Sequence, residues 1–169
     1  MGWLDGKTAR IVAACPALAG AFAAQGARLV EDGPSDILVH VAAPPPVRAA
    51  HDLSHAEWRA ALDAGLDQRF LLARDFAAAH RTAGTGGAVL YIGAPEQALG
   101  ADHAAAAGAL GNLTKTLGVE WARDGIRVNT ILTAAAPDDA TLGNLAAYLC
   151  SDYAAYVTGA VMGTGLGDG

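Results

Sequence analysis

Charge is thin in this chain: Asp, Glu, Lys and Arg supply 17% of its 169 residues, for a formal balance of −6. Only 11 residues are basic and they are scattered. A nucleic-acid surface needs them clustered, so no nucleic acid is expected as partner. Cysteine occurs twice, at Cys15 and Cys150, too sparsely for a disulfide scaffold, and both are expected as thiols in a reducing compartment. No spacing of His or Cys suits a zinc site, and no metal is expected. No apolar run is long enough to span a bilayer, and the opening Met-Gly-Trp-Leu-Asp-Gly-Lys lacks the basic-then-apolar layout of a signal peptide. The expectations are therefore no membrane partner and a cytoplasmic location. What is abundant is apolar: 53% of residues are hydrophobic, most of them alanine, which suits one domain over residues 1–169 with a core of its own.

Strand and helix patterns alternate along the chain. Residues 10–14 read as a short buried strand and 17–25 as a helix closed by Gly26. Residues 36–41 form an almost continuous apolar run of the kind found inside a parallel sheet. Ala42-Ala-Pro-Pro-Pro46 breaks regular structure. Ser54 and Glu57 then make a capping box for a helix running to about His80, with Trp58, Leu62, Leu66 and Phe70 as its apolar face. Further strands are expected at 88–92, 126–132 and 160–162, and helices at 103–123 and 142–150. Such alternation means a parallel sheet covered by helices.

The second half carries motifs in a particular order and spacing: Leu113-Thr-Lys-Thr-Leu-Gly-Val-Glu-Trp-Ala122, Gly125-Ile-Arg-Val-Asn129 and Tyr156-Val-Thr-Gly159. Gly6-Lys7 before the first strand, Asp36-Ile-Leu-Val39 and Trp58 agree more loosely. Together they resemble the short-chain dehydrogenase/reductase family, strongly from Trp58 onward. The resemblance implies a Rossmann-like three-layer fold and an oxidoreductase ancestry. It also implies where chemistry would sit, and those positions are changed. The family's Gly-rich turn, whose N–H groups hold the cofactor pyrophosphate, is replaced by Ala13-Ala-Cys-Pro-Ala-Leu-Ala-Gly20, in which Pro16 removes an N–H. The Asn-Asn-Ala-Gly loop becomes His40-Val-Ala-Ala43. The catalytic Asn aligns with Gly65, the Ser with Gly93 or Ala94, and the Tyr and Lys of Tyr-x-x-x-Lys with His103 and Ala107. In the family mechanism Tyr moves a proton, Lys lowers its pKa and holds the ribose, Ser orients the carbonyl and Asn supports a water relay. Gly and Ala have no titratable atom for such work. No cofactor is expected, and NAD(P)-dependent hydride transfer is not expected of this chain.

Two segments are short. Only Glu31 to Ser35 separate Val30 from the strand at 36, where a parallel crossover ordinarily takes a dozen residues or more. The expectation is a truncated sheet of about five parallel strands lacking the usual second and third strand region. Residues 28–35 would be a loop or irregular edge, and the reversal of strand order would be lost. A first helix that crossed directly to 36–41 would switch faces under the handedness rule, unless Arg28 to Val30 keeps a vestigial second-strand position. Thr133 to Thr141 similarly shorten the family's substrate-covering loop. Gly163-Thr-Gly-Leu-Gly-Asp-Gly169 is glycine-rich but follows the last strand with no helix after it, and reads as a tail. Glu31-Asp32 stand near the family's ribose-binding acid and read as solvated loop charges.

Two functional readings follow. The helices at 54–80 and 103–123, and the elements at 142–150 and 160–162, resemble the two assembly interfaces of the family, with Trp121, Tyr148, Tyr153 and Tyr156 as aromatic anchors or core residues. That favours a non-catalytic subunit, a homo-oligomer or a hetero-oligomer with an intact family member. The alternative is a cofactor-independent enzyme of lyase, isomerase or cyclase type, using His40 and His103 with Asp102, Glu96 or Asp138 to orient one imidazole. It requires both rings to face one cavity. His51, His55 and His80 read as exposed or helix-end residues.

Overall fold

Residues 88–92 are buried to within a few per cent on both faces of their strand, which only a strand inside a sheet with helices on both sides can achieve. The computed structural model describes residues 1–13, 15–42, 47–94, 99–133 and 139–164. Its strands are β1 (Thr8–Val12), β2 (Arg28–Val30), β3 (Ile37–Val41), β4 (Gly87–Gly93), β5 (Ile126–Thr133) and β6 (Val161–Thr164). They form one sheet in the order β2-β1-β3-β4-β5-β6, every pairing parallel. Helices α1 (Pro16–Ala24) and α5 (Asp139–Cys150) cover one face; α3 (Gln68–Ala83) and α4 (Ala101–Glu120) cover the other, with α2 (His55–Leu62) packed on α4. Strand alternation supplies the two cores. Ala9, Ile37, Val39, Leu90 and Ile131 meet Leu18, Phe22 and Ala146 on one side. Leu38, Val89, Tyr91 and Val128 meet Ala73, Leu110 and Trp121 on the other.

The fold class stands as expected, but the sheet has six strands rather than about five. Arg28–Val30 is a true strand beside β1, and the reversal of strand order is kept, since β2 and β3 flank β1 on opposite sides. The reason is register. Val30 stands level with Arg10, and Ile37 level with Ala9, so the chain descends by only one residue between the two strands. It must still cross β1, about 10 Å sideways at ordinary strand spacing, and six residues extended reach about 20 Å. The dozen-residue crossover applies to strands of ordinary length; a three-residue β2 escapes it. Gly33, Pro34 and Ser35 lie over the α3 face, along a groove shared with Arg10, Leu38 and Phe76. Two ties hold this link. The backbone N–H and hydroxyl of Thr8 both donate to the Asp36 carboxylate at 2.7 Å, and His80 bonds the Ser35 carbonyl through Nε2 at 2.9 Å. His80 is thus a tether for the link as well as a helix-end residue. With β2 in place, α1 stays on the α5 face while the link to β3 runs on the α3 face in the opposite direction, so the two crossovers share one hand.

The capping box forms as read: Glu57 N–H donates to Ser54 Oγ and Ser54 N–H to Glu57 Oε2. The long helix after it is not continuous. A π-helical turn over Asp63–Asp67 separates α2 from α3. The deeply buried side chains of the α2–α3 segment are Ala61, Arg69, Ala73 and Ala77, one position before the stripe of large residues chosen from sequence, and Phe70 lies 36% exposed. A strict four-residue step drifts about 40° per step on a 3.6-residue helix, and the wider π turn reabsorbs part of that drift. The face turned inward is built of small residues because α4 comes so close. A Cβ on Gly65 would stand 2.7 Å from the Ala106 Cβ.

The family motifs of the second half are packing devices. Asn129 bridges β5 to the segment before β6, donating from Nδ2 to the Val157 carbonyl at 2.9 Å and accepting from Ala160 N–H at 3.1 Å. Thr158 Oγ1 accepts from Val128 N–H and donates to the Gly118 carbonyl. Gly118 and Gly159 touch where any Cβ on Gly118 would lie 2.5 Å from the Gly159 nitrogen, and Gly159 has φ +73°. Asn129 is 2% exposed, so removing its amide leaves two buried backbone groups unpaired. Asn129→Ala is expected to lower unfolding stability by about 2–4 kcal/mol, read as a shift of the urea midpoint at unchanged m-value; a shift under about 0.5 kcal/mol would show the bridge to be dispensable.

Candidate active site

Parallel strands direct their C-terminal ends to one edge of the sheet, where ligands bind in folds of this class. Here the ends of β3, β4 and β5 contribute Ala42, Gly93, Ala94 and Leu132 to a cavity of about 60 Å³. Gly65 closes it from the π turn, Arg69 from α3, and His103, Ala106, Ala107 and Leu110 from α4, with Leu99 at the rim. Every position matched to a family catalytic residue lines this one cavity. The Asn place is Gly65, the Ser place Gly93 or Ala94, and the Tyr and Lys places are His103 and Ala107, one turn apart. Apart from His103, the residues at those positions are Gly or Ala.

Of the polar residues proposed for other chemistry, the cavity gathers only part. His103 lines it, with its side chain 28% exposed and Nδ1 3.0 Å from Asp102 Oδ1. Asp102 is 6% exposed and also accepts the His103 backbone N–H at 2.9 Å. Burial works against the Asp102 carboxylate, but the hydrogen bonds from His103 outweigh it and hold its pKa below the usual value. His40 is not on the cavity wall. It is 8% exposed in mid-sheet, beside Val12 and Tyr91 in register, and its Nδ1 has no partner among the described residues. Burial and, second, the charge of Arg69 push its pKa down to about 4, so it is a neutral ring near pH 7. The two imidazoles required by the alternative reading do not share the cavity. Glu96 and Asp138 lie outside the described residues, as do Ala43 to Pro46 and the tail from 165 onward.

One residue of the wall was missed. Arg69 is 2% exposed, yet among the described residues its guanidinium makes a single hydrogen bond, Nη2 to the Ile92 carbonyl at 3.2 Å, and Nε has no partner. The Tyr91 hydroxyl donates to its backbone carbonyl. Burial lowers the Arg69 pKa to about 10, so it remains charged; burial likewise pushes the Tyr91 phenol well above its usual value, against the pull of the Arg69 charge. The available signal was the company Arg69 keeps: Ala61, Gly65, Ala73 and Ala77 at four-residue steps mark a close-packed face in which an arginine is out of place.

A family model described as Enoyl-(Acyl carrier protein) reductase, of the short-chain alcohol dehydrogenase type, matches residues 17–141. The chain belongs to the short-chain dehydrogenase/reductase family. It is 30% identical over 162 residues to cis-4-hydroxycyclohexanecarboxylate dehydrogenase of Sinomonas cyclohexanicum, covering 78% of this chain but 65% of that protein. The chain thus spans slightly under two thirds of the curated relative it matches. Its fold is similar to a short-chain type dehydrogenase/reductase from Mycobacterium marinum, with TM-score 0.86 and 21% identity over 95% of this chain and 94% of that one. Acetoin dehydrogenase from Salmonella typhimurium superimposes with TM-score 0.71 at 27% identity, covering 78% of this chain and 63% of that one.

The dehydrogenase family implies a nicotinamide dinucleotide in the crevice between β1 and β3. That crevice survives, but the residues in it do not fit the group. Residues 13–19 contain no glycine, and Ala13 holds φ +67°, a left-handed conformation that costs a residue with a Cβ about 1–2 kcal/mol. Pro16 opens α1, and no side chain caps that helix start; the run of close-approaching N–H groups is interrupted where pyrophosphate would need it. Asp32, near the ribose-binding acid's place, is 90% exposed at its side chain and paired with Arg10 at 3.3 Å. No metal-binding group of three His, Cys, Asp or Glu occurs among the described residues, and no helix there is long and apolar enough to cross a membrane.

The neutral His40 gives the family fold of this chain a pH signature. Unfolded, the ring titrates near 6.5; folded, near 4. Between these values the unfolded chain binds the extra proton, so stability is full above pH 6.5 and falls as pH drops toward 4, by up to about 3 kcal/mol. Urea unfolding at pH 7, 5.5 and 4 is expected to show this loss in the native chain and a shallower one in His40→Leu; parallel losses would show that His40 does not contribute it.

Proposed function

We propose that this chain is a non-catalytic subunit of short-chain dehydrogenase/reductase type that acts by assembling, with a second copy of itself or with an intact family member. The observation that carries the reading is the content of the cavity wall: Gly65, Gly93, Ala94 and Ala107 stand where Asn, Ser and Lys would do acid–base and orienting work. Replacing Gly65 alone does not restore it, because the Ala106 Cβ fills the space an Asn side chain would enter. The crevice residues fit no dinucleotide, as argued above.

The outer surface supports the assembling part. On the α3–α4 face, Phe70, Leu71 and Val119 are 36%, 42% and 78% exposed, beside a shallow groove between Arg74, Arg81, Leu117 and Trp121. A second exposed group lies on α5 and the turn after it, where Tyr148, Tyr153 and Tyr156 are exposed and Trp3 packs edge-on against Tyr148 and Tyr153, both at 6.4 Å. Trp121, by contrast, is a core residue, 5% exposed. Large aromatics and clustered apolar side chains at a surface are what protein interfaces use. These are the two regions that the family resemblance assigns to assembly.

Native mass spectrometry tests the reading on its own terms. The protein is expected at a multiple of 17.0 kDa, or bound to a longer dehydrogenase when the two are co-expressed. Phe70→Lys with Val119→Lys is expected to yield monomer at unchanged helix content. A native chain that stays monomeric at micromolar concentration, alone and with the longer dehydrogenase, or that oxidises an alcohol with NAD or NADP, would overturn it.

A further inference from the structure

The group that the proposed assembly leaves unused is Arg69. It is a charged side chain 2% exposed, on the wall of a cavity, with no carboxylate paired to it among the described residues. A guanidinium has five N–H donors, and among the described residues this one spends one of them, on the Ile92 carbonyl. Removing an unpaired cation from water is costly unless an anion and hydrogen-bond acceptors meet it. The neighbouring ring offers no charge, since His40 is neutral. Among the described residues the fold therefore holds a cation in its interior without a counter-charge, and the cavity is a route by which one can arrive.

The wall defines the chemistry of that anion. Arg69 Nη1 lies 3.7 Å from where a Cβ on Gly93 would stand, so the glycine leaves the guanidinium uncovered on that side. A planar carboxylate matches the guanidinium fork in geometry and in charge, one to one. Phosphate asks for more: a second positive charge or a run of backbone N–H groups, and the cavity has no lysine and no second arginine. Away from Arg69 the lining is Leu99, Leu110, Leu132 and alanine, which suits a short alkyl chain. The volume of about 60 Å³ limits it to a few heavy atoms. We infer that the cavity bounded by Arg69, Gly93 and His103 is a binding site for a short-chain aliphatic monocarboxylate, with the carboxylate on the Arg69 guanidinium and the alkyl chain against the leucines. His103 stands at the same wall with its Nδ1 engaged by Asp102, leaving Nε2 to close the site over the ligand. The site does not depend on whether the chain assembles, and occupancy leaves the α3–α4 face unchanged.

Amide chemical-shift titration of the intact protein with butyrate, its neutral isostere butyramide, and inorganic phosphate tests this. Butyrate is expected to shift the Gly93, Ala94 and His103 amides saturably, with butyramide and phosphate at least tenfold weaker. Arg69→Met keeps the length of the side chain and removes its charge; at least a tenfold loss of butyrate affinity is expected. Ala107→Leu keeps Arg69 and fills the cavity, and is expected to abolish the shifts at a native fold should Arg69→Met not fold. Equal binding of butyrate and butyramide, preferential binding of phosphate, absence of saturable shifts at these amides, or unchanged affinity in a folded variant would each overturn the inference.

Discussion

The register of a three-residue strand holds this fold in its family's shape. β2 ends level with Arg10 and β3 begins level with Ala9, so a link of six residues can pass over β1 without climbing back down a full strand. Were β2 two residues longer at its C-terminal end, the link would have to descend about 7 Å more while also crossing. Everything upstream depends on that economy. It lets α1 remain on the face it shares with α5, keeps the strand order reversed at β1, and preserves the edge at which β3, β4 and β5 present their C-terminal ends. The two ties on the link, Thr8 to Asp36 and His80 to Ser35, show where that shortcut is secured. One ties it to the first strand, the other to the helix beneath which it runs.

The family signature divides along physical lines. Asn129, Thr158, Gly118 and Gly159 are retained because each does a mechanical job: bridging β5 to the segment before β6, or permitting backbone contact that no Cβ allows. Of the positions that the family resemblance matches to catalytic residues, Gly65, Gly93 or Ala94, and Ala107 carry the smallest residues, while the remaining one is His103. The contact of Gly65 with Ala106 is the clearest case. In a relative with Asn at this position, α4 would have to stand farther away or carry a smaller neighbour. Losing the side chain and closing the gap are one change. The π turn over Asp63–Asp67 carries Gly65 and leads directly into α3. π turns concentrate at functional sites, and this one now positions Arg69.

Much of this was legible in the residues. Buried parallel strands announce themselves as apolar runs, and 88–92 could be read almost to the residue. The capping box at Ser54 and Glu57 was legible for the same reason, because one local interaction decides it. The residues matched to catalytic positions line one cavity, and the motifs used to match them flank it on both sides. What was not legible came from cooperation between distant segments. β2 depends on its level against β1, which no local pattern encodes, and a length rule suited to longer strands left it only as the alternative of a vestigial second-strand position, the one that the structure shows. The buried face of α3 was misplaced by one residue because large apolar side chains at 58, 62, 66 and 70 outweighed the small ones beside them. Close helix packing reverses that weighting: where backbones approach, Ala and Gly go inside and Phe70 is left at the surface. His40 stands near the C-terminal end of β3, but Ala42, two residues further on, takes the place on the cavity wall.

Arg69 is the residue for which packing gives no account. Its stripe-mates are Ala and Gly, and an alanine there would continue the face that meets α4. Arg69 is a buried ion with no counter-charge among the described residues, which lowers stability, and well-packed apolar residues in such a place are commonly neutral or better. Arg69 also imposes a second cost, since its charge helps to hold His40 in the neutral form and so makes the fold sensitive to acid. A group that penalises both itself and its neighbour, at the site where relatives keep their reacting atoms, is not explained by the needs of the core. The mean composition of the chain makes the same point from the other side. In a protein this poor in charge, with 11 basic residues in all, placing one of them 2% exposed on a cavity wall is a costly use of a scarce side chain. The physical sense of that arrangement lies in what the cavity admits.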